Sequence, residues 1–178
     1  MPSPVTLWTG RAASPNLDLQ APDVQSPHHQ DKVIEVHKTI HVSMPTSQVY
    51  EYLTQTDNIA EYVGPIRRIY DPSTPKVETG TRLTVEVSFL GRRFQQRAEC
   101  TRRDAPEVFE ARSVGGRFYF EAGFNLREEP HGTQMDGWGR AAAPGLFGVA
   151  EALLGFLIEH QVERDLTRLK NRLESLRV

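Results

Sequence analysis

Cysteine is almost absent from this sequence, since the 178 residues contain only one, Cys100. A single cysteine excludes a disulfide framework within the chain and any metal cluster held by several cysteines. Neither sign of charge dominates, because 21 Lys and Arg stand against 23 Asp and Glu, for a formal net charge of -2. This balance argues against binding through general attraction to phosphates, so we expect no nucleic acid among the partners.

Long hydrophobic runs are also missing. The longest apolar stretch, 145–158, is interrupted by Glu151 and is too short to span the ~30 Å of a bilayer's hydrocarbon core. The first ten residues contain neither a basic residue nor a continuous apolar run, so they do not read as a secretory signal. These features predict a cytoplasmic protein without a transmembrane segment.

The usual signatures of catalysis and metal binding do not occur. The sequence has no nucleophile elbow, glycine-rich phosphate loop or metal-ligand spacing. His28 and His29 are adjacent but have no further ligand nearby. His37 and His41 share one face of a predicted strand, about 13 Å apart by strand rise, which is too far for one metal ion. We therefore expect neither a metal nor another cofactor.

The chain divides into a tail and one domain. Residues 1–30 hold five of the 12 prolines and too little apolar surface to offset the entropy of ordering, so we expect a disordered tail. Residues 31–178 are numerous enough for a single core. Apolar residues between 34 and 42 alternate with polar ones, which predicts a half-buried strand. Two short helices, opened by Pro45 and Asp57, are expected to follow.

Alternation then predicts six further strands. Strands at 83–89 and 94–100 flank Gly91-Arg92, which suits a two-residue type II′ turn and would pair Phe89 with Phe94. A second hairpin is predicted around Gly115-Gly116, between strands at 109–113 and 118–126. The last strand, 133–141, places Gly137 and Gly139 on its inward face if Phe124 pairs with Met135 or Gly137. Because the side chains on this face are small, we expect unfilled space in the core next to it.

A final helix is predicted from 144 to about 175, roughly 45 Å long. A seven-stranded antiparallel sheet needs its apolar face covered, and this helix is the only predicted element long and apolar enough to do so. The predicted fold is therefore α+β, with a curved sheet around the last helix and a cavity between the two layers, the usual form of a small-molecule pocket.

The order of these elements resembles a known superfamily. Residues 39–53, TIHVSMPTSQVYEYL, are similar to the opening strand–Pro–helix signature of the SRPBCC superfamily. Its helix-grip fold is shared by START lipid-transfer domains, birch-pollen-type allergens and the polyketide cyclase/dehydrase family. The segment 57–62, the Gly-Thr pairs at 80–81 and 132–133 and the helix at 166–174 continue the resemblance, which covers 32–176. It implies a cavity for a lipid, polyketide or other hydrophobic small molecule, but no universal catalytic signature.

Few polar side chains are expected to reach this cavity. Tyr62, Gln96 and His160 are weak catalytic candidates, because each could exchange a proton or a hydrogen bond with a ligand. Each also has a structural alternative: packing against the short helices, bonding to backbone, or partial exposure on the helix. The predicted ligand-binding set comprises these three with inward-facing apolar residues, namely Val85, Val87, Phe89, Phe118, Phe120, Phe124, Met135 and Phe156.

Three functions remain open from the sequence. The first is binding or carriage of a hydrophobic small molecule, which predicts an apolar cavity. The second is a cyclase/dehydratase-like enzyme without a metal, which predicts converging titratable groups. The third is a protein-interaction module of the Hsp90-ATPase-activator type, which predicts an exposed apolar patch around Trp138. A homodimer is compatible with all three.

Overall fold

The computed structural model describes residues 33–70, 74–115, 118–142 and 151–176. The predicted tail at 1–30 and the predicted start of the last helix at 144–150 lie outside the described residues. The described elements, in chain order, are β1 Ile34–Val42, α1 Thr46–Thr54, α2 Thr56–Tyr62, β2 Ile66–Tyr70, β3 Arg82–Phe89, β4 Arg92–Asp104, β5 Val108–Ser113, β6 Tyr119–Glu129, β7 Gly132–Ala142 and α3 Glu151–Ser175.

The strands form one seven-stranded sheet in the order β1-β7-β6-β5-β4-β3-β2. Every neighbouring pair is antiparallel, and α3 packs on the inner face through Leu166, Leu169 and Leu173, all buried. Burial of these leucines stabilises the helix on the sheet by roughly 1.5–3 kcal/mol each, before entropy is counted. The predicted helix-grip architecture is confirmed.

An ion pair fixes α3 against the edge strand β1. Lys38 lies in register with the inward-facing residues of β1, and its Nζ contacts Glu163 Oε1 at 2.7 Å and Glu159 Oε1 at 3.3 Å. Hydrogen bonds to these two carboxylates raise the pKa of Lys38 above its ordinary value. These contacts hold the part of α3 that contains Glu159 and Glu163 beside β1.

The predicted turn of the first hairpin is wrong by one residue. The two central residues are Leu90 and Gly91, with φ of 48° and 74°, so Phe89 pairs with Arg92 and Val87 with Phe94. Two positive φ values in succession define a type I′ turn, whose twist matches that of the flanking strands. The pairing shifts by two residues, so each side chain keeps its predicted face.

The register of the last two strands agrees with the sequence pattern. Phe124 pairs with Gly137, and Trp138 therefore lies on the outer face. There it packs across Gly123, where an added Cβ would lie 3.0 Å from the indole ring. The inner face of β7 consequently carries small residues beside the phenylalanines of β6, as predicted.

Candidate functional site

A cavity of about 230 Å³ lies between α3 and the inner face of the sheet. Four phenylalanines form its aromatic wall: Phe89, Phe94, Phe118 and Phe120. Phe118 lies between two of the others, with ring centroids 6.5 Å from Phe94 and 6.2 Å from Phe120. These tilted arrangements present both ring edges and ring faces, the two surfaces that an aromatic guest can pack against.

The floor beside these rings is made of small residues. Ala122, Gly139 and Ala141 line it, and Ala122 pairs directly with Gly139. A Cβ built on Gly139 would meet its nearest neighbours at 3.7 and 3.9 Å, ordinary van der Waals contact. The cavity therefore exists because β7 presents glycine and alanine where larger side chains would fit.

The remaining walls come from the sheet edges and from α3. Ile34, Val36 and Val87 contribute from strands, Val63 and Pro65 from the loop after α2, and Ile158, Gln161, Val162 and Asp165 from α3. Glu121 and Arg140 also border the cavity, but strand alternation turns their side chains to the outer face. All of the surface that the cavity exposes belongs to apolar atoms.

Asp165 is the titratable side chain of α3 at this wall. Its Oδ1 accepts hydrogen bonds from the Gly64 N–H at 3.1 Å and from Gln161 Nε2 at 2.9 Å, while Arg168 Nη1 lies at 3.5 Å. Burial raises the pKa of Asp165 above its ordinary value, although these partners act in the opposite direction. The carboxyl group thus ties α3 to the loop that supplies Val63 and Pro65.

Close packing at this seam depends on the glycine. A Cβ on Gly64 would lie 2.7 Å from Asp165 Oδ1, 2.8 Å from Gln161 Nε2 and 2.8 Å from Arg168 Nη1. The loop can approach the helix because residue 64 has no side chain.

Residues 33–174 match the family model described as polyketide cyclase / dehydrase and lipid transport. The chain belongs to this family. This confirms the resemblance to the SRPBCC superfamily, and the family supports a ligand-binding or cyclase-type role. No curated protein matches the sequence.

Solved structures share the fold at low sequence identity. TTHA0849 from Thermus thermophilus is 19% identical, with a TM-score of 0.67 over 81% of this chain and 99% of its own. DR_A0006 from Deinococcus radiodurans is 18% identical, with a TM-score of 0.60 over 79% and 97%. The di-domain ARO/CYC StfQ from the steffimycin biosynthetic pathway is 12% identical, with a TM-score of 0.63 over 80% of this chain and 51% of its own. At these identities the likeness concerns the fold alone.

Four of the predicted ligand-binding residues of this cyclase/dehydrase family member line the cavity: Val87, Phe89, Phe118 and Phe120. Four others lie on the inner side but in the main core, away from the cavity. Val85 and Met135 are buried there, and Phe124 packs on Phe109. The fourth, Tyr62, donates its hydroxyl hydrogen to the Leu53 carbonyl at 2.9 Å, and burial raises its pKa.

Gln96 is buried on the inner side but does not line the cavity. Its Nε2 donates to the carbonyls of Gly115 at 2.6 Å and Arg97 at 3.0 Å. Its Oε1 is buried and has no hydrogen-bond partner among the described residues. The amide therefore holds the turn after β5 in place, which is the backbone-bonding alternative for this residue.

Phe156 and His160 lie outside the cavity, contrary to their predicted placement. Both are exposed, their rings stack at 6.3 Å, and His160 Nδ1 lies 3.9 Å from Glu163 Oε2. The inward face of α3 follows Leu154, Ile158 and Val162, so residues 156 and 160 fall on another side of the helix.

Sequence reasoning missed several residues of the site. Helical spacing places Ile158, Val162 and Asp165 on one face of α3, a signal that would have found them. Phe94, the predicted partner of Phe89 in the first hairpin, shares the inward face of that residue. By contrast, Val63 and Pro65 lie in a loop without periodicity, and only the tertiary fold brings them to the cavity.

The described residues form neither a metal site nor a membrane-spanning helix. Within the described ranges, no set of three or more His, Cys, Asp or Glu side chains is grouped closely enough to hold a metal ion. None of the described helices combines the length and apolarity needed to cross a bilayer. Trp138 is only half-buried, but the strongly exposed large apolar residues lie elsewhere.

Proposed function

We propose that this protein binds and carries a compact apolar molecule in the cavity between α3 and the sheet. The observation that carries the proposal is the cavity's surface, to which only apolar atoms contribute. A hydrophobic guest that covers this surface removes apolar area from water, which favours binding. Membership of a family associated with lipid transport supports the same function.

The volume of the cavity limits the size of the guest. An apolar cavity of about 150 Å³ accommodates benzene, with six carbons. By proportion, the cavity of about 230 Å³ encloses roughly nine heavy atoms, the size of an indole or a naphthalene. Burial of about 0.8 kcal/mol per carbon gives roughly 7 kcal/mol, which corresponds to a Kd on the order of 10 µM.

The chemistry of the wall favours an aromatic guest. Four phenylalanine rings and the neighbouring small residues Ala122, Gly139 and Ala141 line the sheet side of the cavity, across from Ile158 and Val162 of α3. A planar ring can pack against these phenylalanines, and each aromatic contact adds roughly 0.5–1.5 kcal/mol beyond area burial. Any charged group on the guest must remain at the rim, because the enclosed surface offers it no partner.

A size-graded titration tests this proposal. Calorimetry with benzene, indole, naphthalene and anthracene should show the tightest binding for the two-ring compounds. The Ala122→Leu variant, which adds three carbons at the floor, should lose this binding while its circular dichroism stays unchanged. If no compound binds, or if the leucine variant binds as the wild type does, the cavity is not the binding site.

A cyclase-type enzyme is the second candidate, and Asp165 favours it. This carboxyl lies at the wall with a raised pKa, as a general acid or base would, and one similar structure is an ARO/CYC protein. Its Oδ1 is occupied by Gly64 and Gln161, so proton exchange would fall to Oδ2. If an enzymatic turnover of a bound aromatic polyketide is found, Asp165→Asn should abolish it without weakening binding.

A further inference from the structure

Strongly exposed large apolar side chains gather at one end of the described fold. They are Phe156, 64% exposed, Leu153, 48%, and Leu90, 40%, whereas Leu176, 46%, lies at the far end of α3. Phe156 and Leu153 are one turn apart on the first half of the helix. Isolated exposed leucines need no explanation, but a cluster of large side chains marks an interaction surface.

Packing places the start of α3 against the tip of the first hairpin. Leu154, the neighbour of Leu153, packs with Phe89 and Phe94, which flank the turn that contains Leu90. Phe89 and Phe94 also line the cavity. The exposed side chains therefore surround the end of the molecule where the cavity lies.

The same end carries positive charge. Arg92 and Arg93 directly follow the turn and are exposed. Arg92 forms no ion pair within the described residues, and Arg93 lies 3.9 Å from Glu86, a long contact. The acidic residue nearest to Phe156 on the helix, Glu159, is paired with Lys38 at 3.3 Å. Lys38 also contacts Glu163 at 2.7 Å, so the basic charge at this end lies at the hairpin tip, on Arg92 and Arg93.

We propose that this end, formed by Leu90, Arg92, Arg93, Leu153 and Phe156, docks on the surface of an anionic lipid bilayer. The exposed apolar side chains enter the boundary between headgroups and acyl chains, while the two arginines of the hairpin tip pair with anionic lipids. This surface goes beyond ligand binding in the cavity, because it gives an apolar guest a path to the membrane with less exposure to water.

Sedimentation with vesicles tests the docking directly. We expect the protein to bind vesicles of equal parts phosphatidylcholine and phosphatidylglycerol, and to bind pure phosphatidylcholine far more weakly. Replacing both arginines, as R92Q/R93Q, should weaken binding roughly 25-fold, since each arginine contributes about a factor of five. Phe156→Ser should weaken it at least tenfold, because a buried phenylalanine would be lost.

Matched controls come from the opposite end of the same elements. Leu176→Ser removes a leucine just beyond the end of α3 that is about as exposed as Leu153, and Arg82→Gln removes an exposed arginine from β3. Both variants should bind vesicles as the wild type does. Ala122→Leu should also dock normally, because it changes the cavity alone. These variants therefore distinguish a failure of membrane docking from a failure of ligand binding in the cavity.

Three results would overturn the proposal. The first is absence of binding to phosphatidylglycerol vesicles. The second is an equal loss of vesicle binding in the test variants, R92Q/R93Q and Phe156→Ser, and in the control variants at the opposite end. The third is a concentration-dependent dimer that Phe156→Ser dissociates, since this surface would then be covered by a second copy of the chain.

Discussion

Gly139 and Gly137 allow a paired test of the cavity, because they lie two residues apart on the same face of β7. Only Gly139 lines the cavity. A Cβ on Gly137 would contact Phe124 Cδ1 at 3.7 Å and Leu166 Cδ2 at 3.8 Å, in the packed core. Both sites accept a methyl group at ordinary contact distances, so Gly→Ala at either position should fold.

The two substitutions should raise stability by similar amounts. Alanine in a strand avoids the backbone entropy of glycine, about 0.5–1 kcal/mol, and burial of the added methyl group contributes about 0.8 kcal/mol. We therefore expect an increase of roughly 1–2 kcal/mol in the free energy of unfolding for each variant, measured by urea denaturation.

Ligand binding should separate the two variants. One added carbon at Gly139 occupies roughly 30 Å³, the volume of a water molecule, of a cavity of about 230 Å³. A guest that fills the cavity must give up about one heavy atom, which costs about 0.8 kcal/mol, or roughly fourfold in Kd. Gly139→Leu removes about half the volume and should abolish binding of two-ring compounds.

Calorimetric titration with naphthalene provides the measurement. Gly137→Ala should bind naphthalene as the wild type does, despite its higher stability. Equal weakening in Gly137→Ala and Gly139→Ala, or unchanged binding in Gly139→Leu, would refute the assignment of the guest to this cavity.

Two further predictions concern the helix that closes the cavity. Burial raises the pKa of Asp165, so the folded state binds its proton more tightly than the unfolded chain, and the stability due to this group falls as pH rises through the folded pKa. Asp165→Asn, which keeps an acceptor for the Gly64 N–H, should therefore gain stability relative to the wild type as the pH rises above about 4, the ordinary pKa of an aspartate, as measured by Tm; a constant difference would contradict the burial argument. Leu169→Ala should lower the free energy of unfolding, measured by urea denaturation, by about 2–5 kcal/mol. Leu176→Ala should change it by no more than about 0.5 kcal/mol. Equal losses in the two variants would mean that the helix packs differently.

The fold could be predicted from the sequence because its signals are local and repeated. Period-2 alternation fixes which face each strand buries, and one long apolar helix leaves a single way to cover the sheet. The register of the first hairpin could not be predicted in the same way. It depends on a positive φ at Leu90, and a non-glycine residue gives little signal of this conformation.

The site was predictable in part for the same reason. Alternation identifies Val87 and Phe118 as inward-facing, but it does not say how far along the strand the core ends and the cavity begins. Val85, two residues earlier, therefore lies in the packed core. The direction of Phe156 could not be predicted for a different reason. Where a helix is apolar on most sides, the sequence pattern does not show which apolar side chains face the sheet and which face solvent.

The choice between carrier and enzyme rests on how Asp165 is held. A general acid or base must reach a reacting atom within hydrogen-bond distance, but the surface exposed to the cavity is apolar and Oδ1 is already shared by Gly64 and Gln161. Catalysis would therefore depend on Oδ2 alone, and any rotation of the carboxyl toward the cavity would give up the two hydrogen bonds at the seam. Because an unpaired buried N–H costs roughly 1–3 kcal/mol, the observed arrangement favours a structural role for Asp165 and a binding role for the cavity.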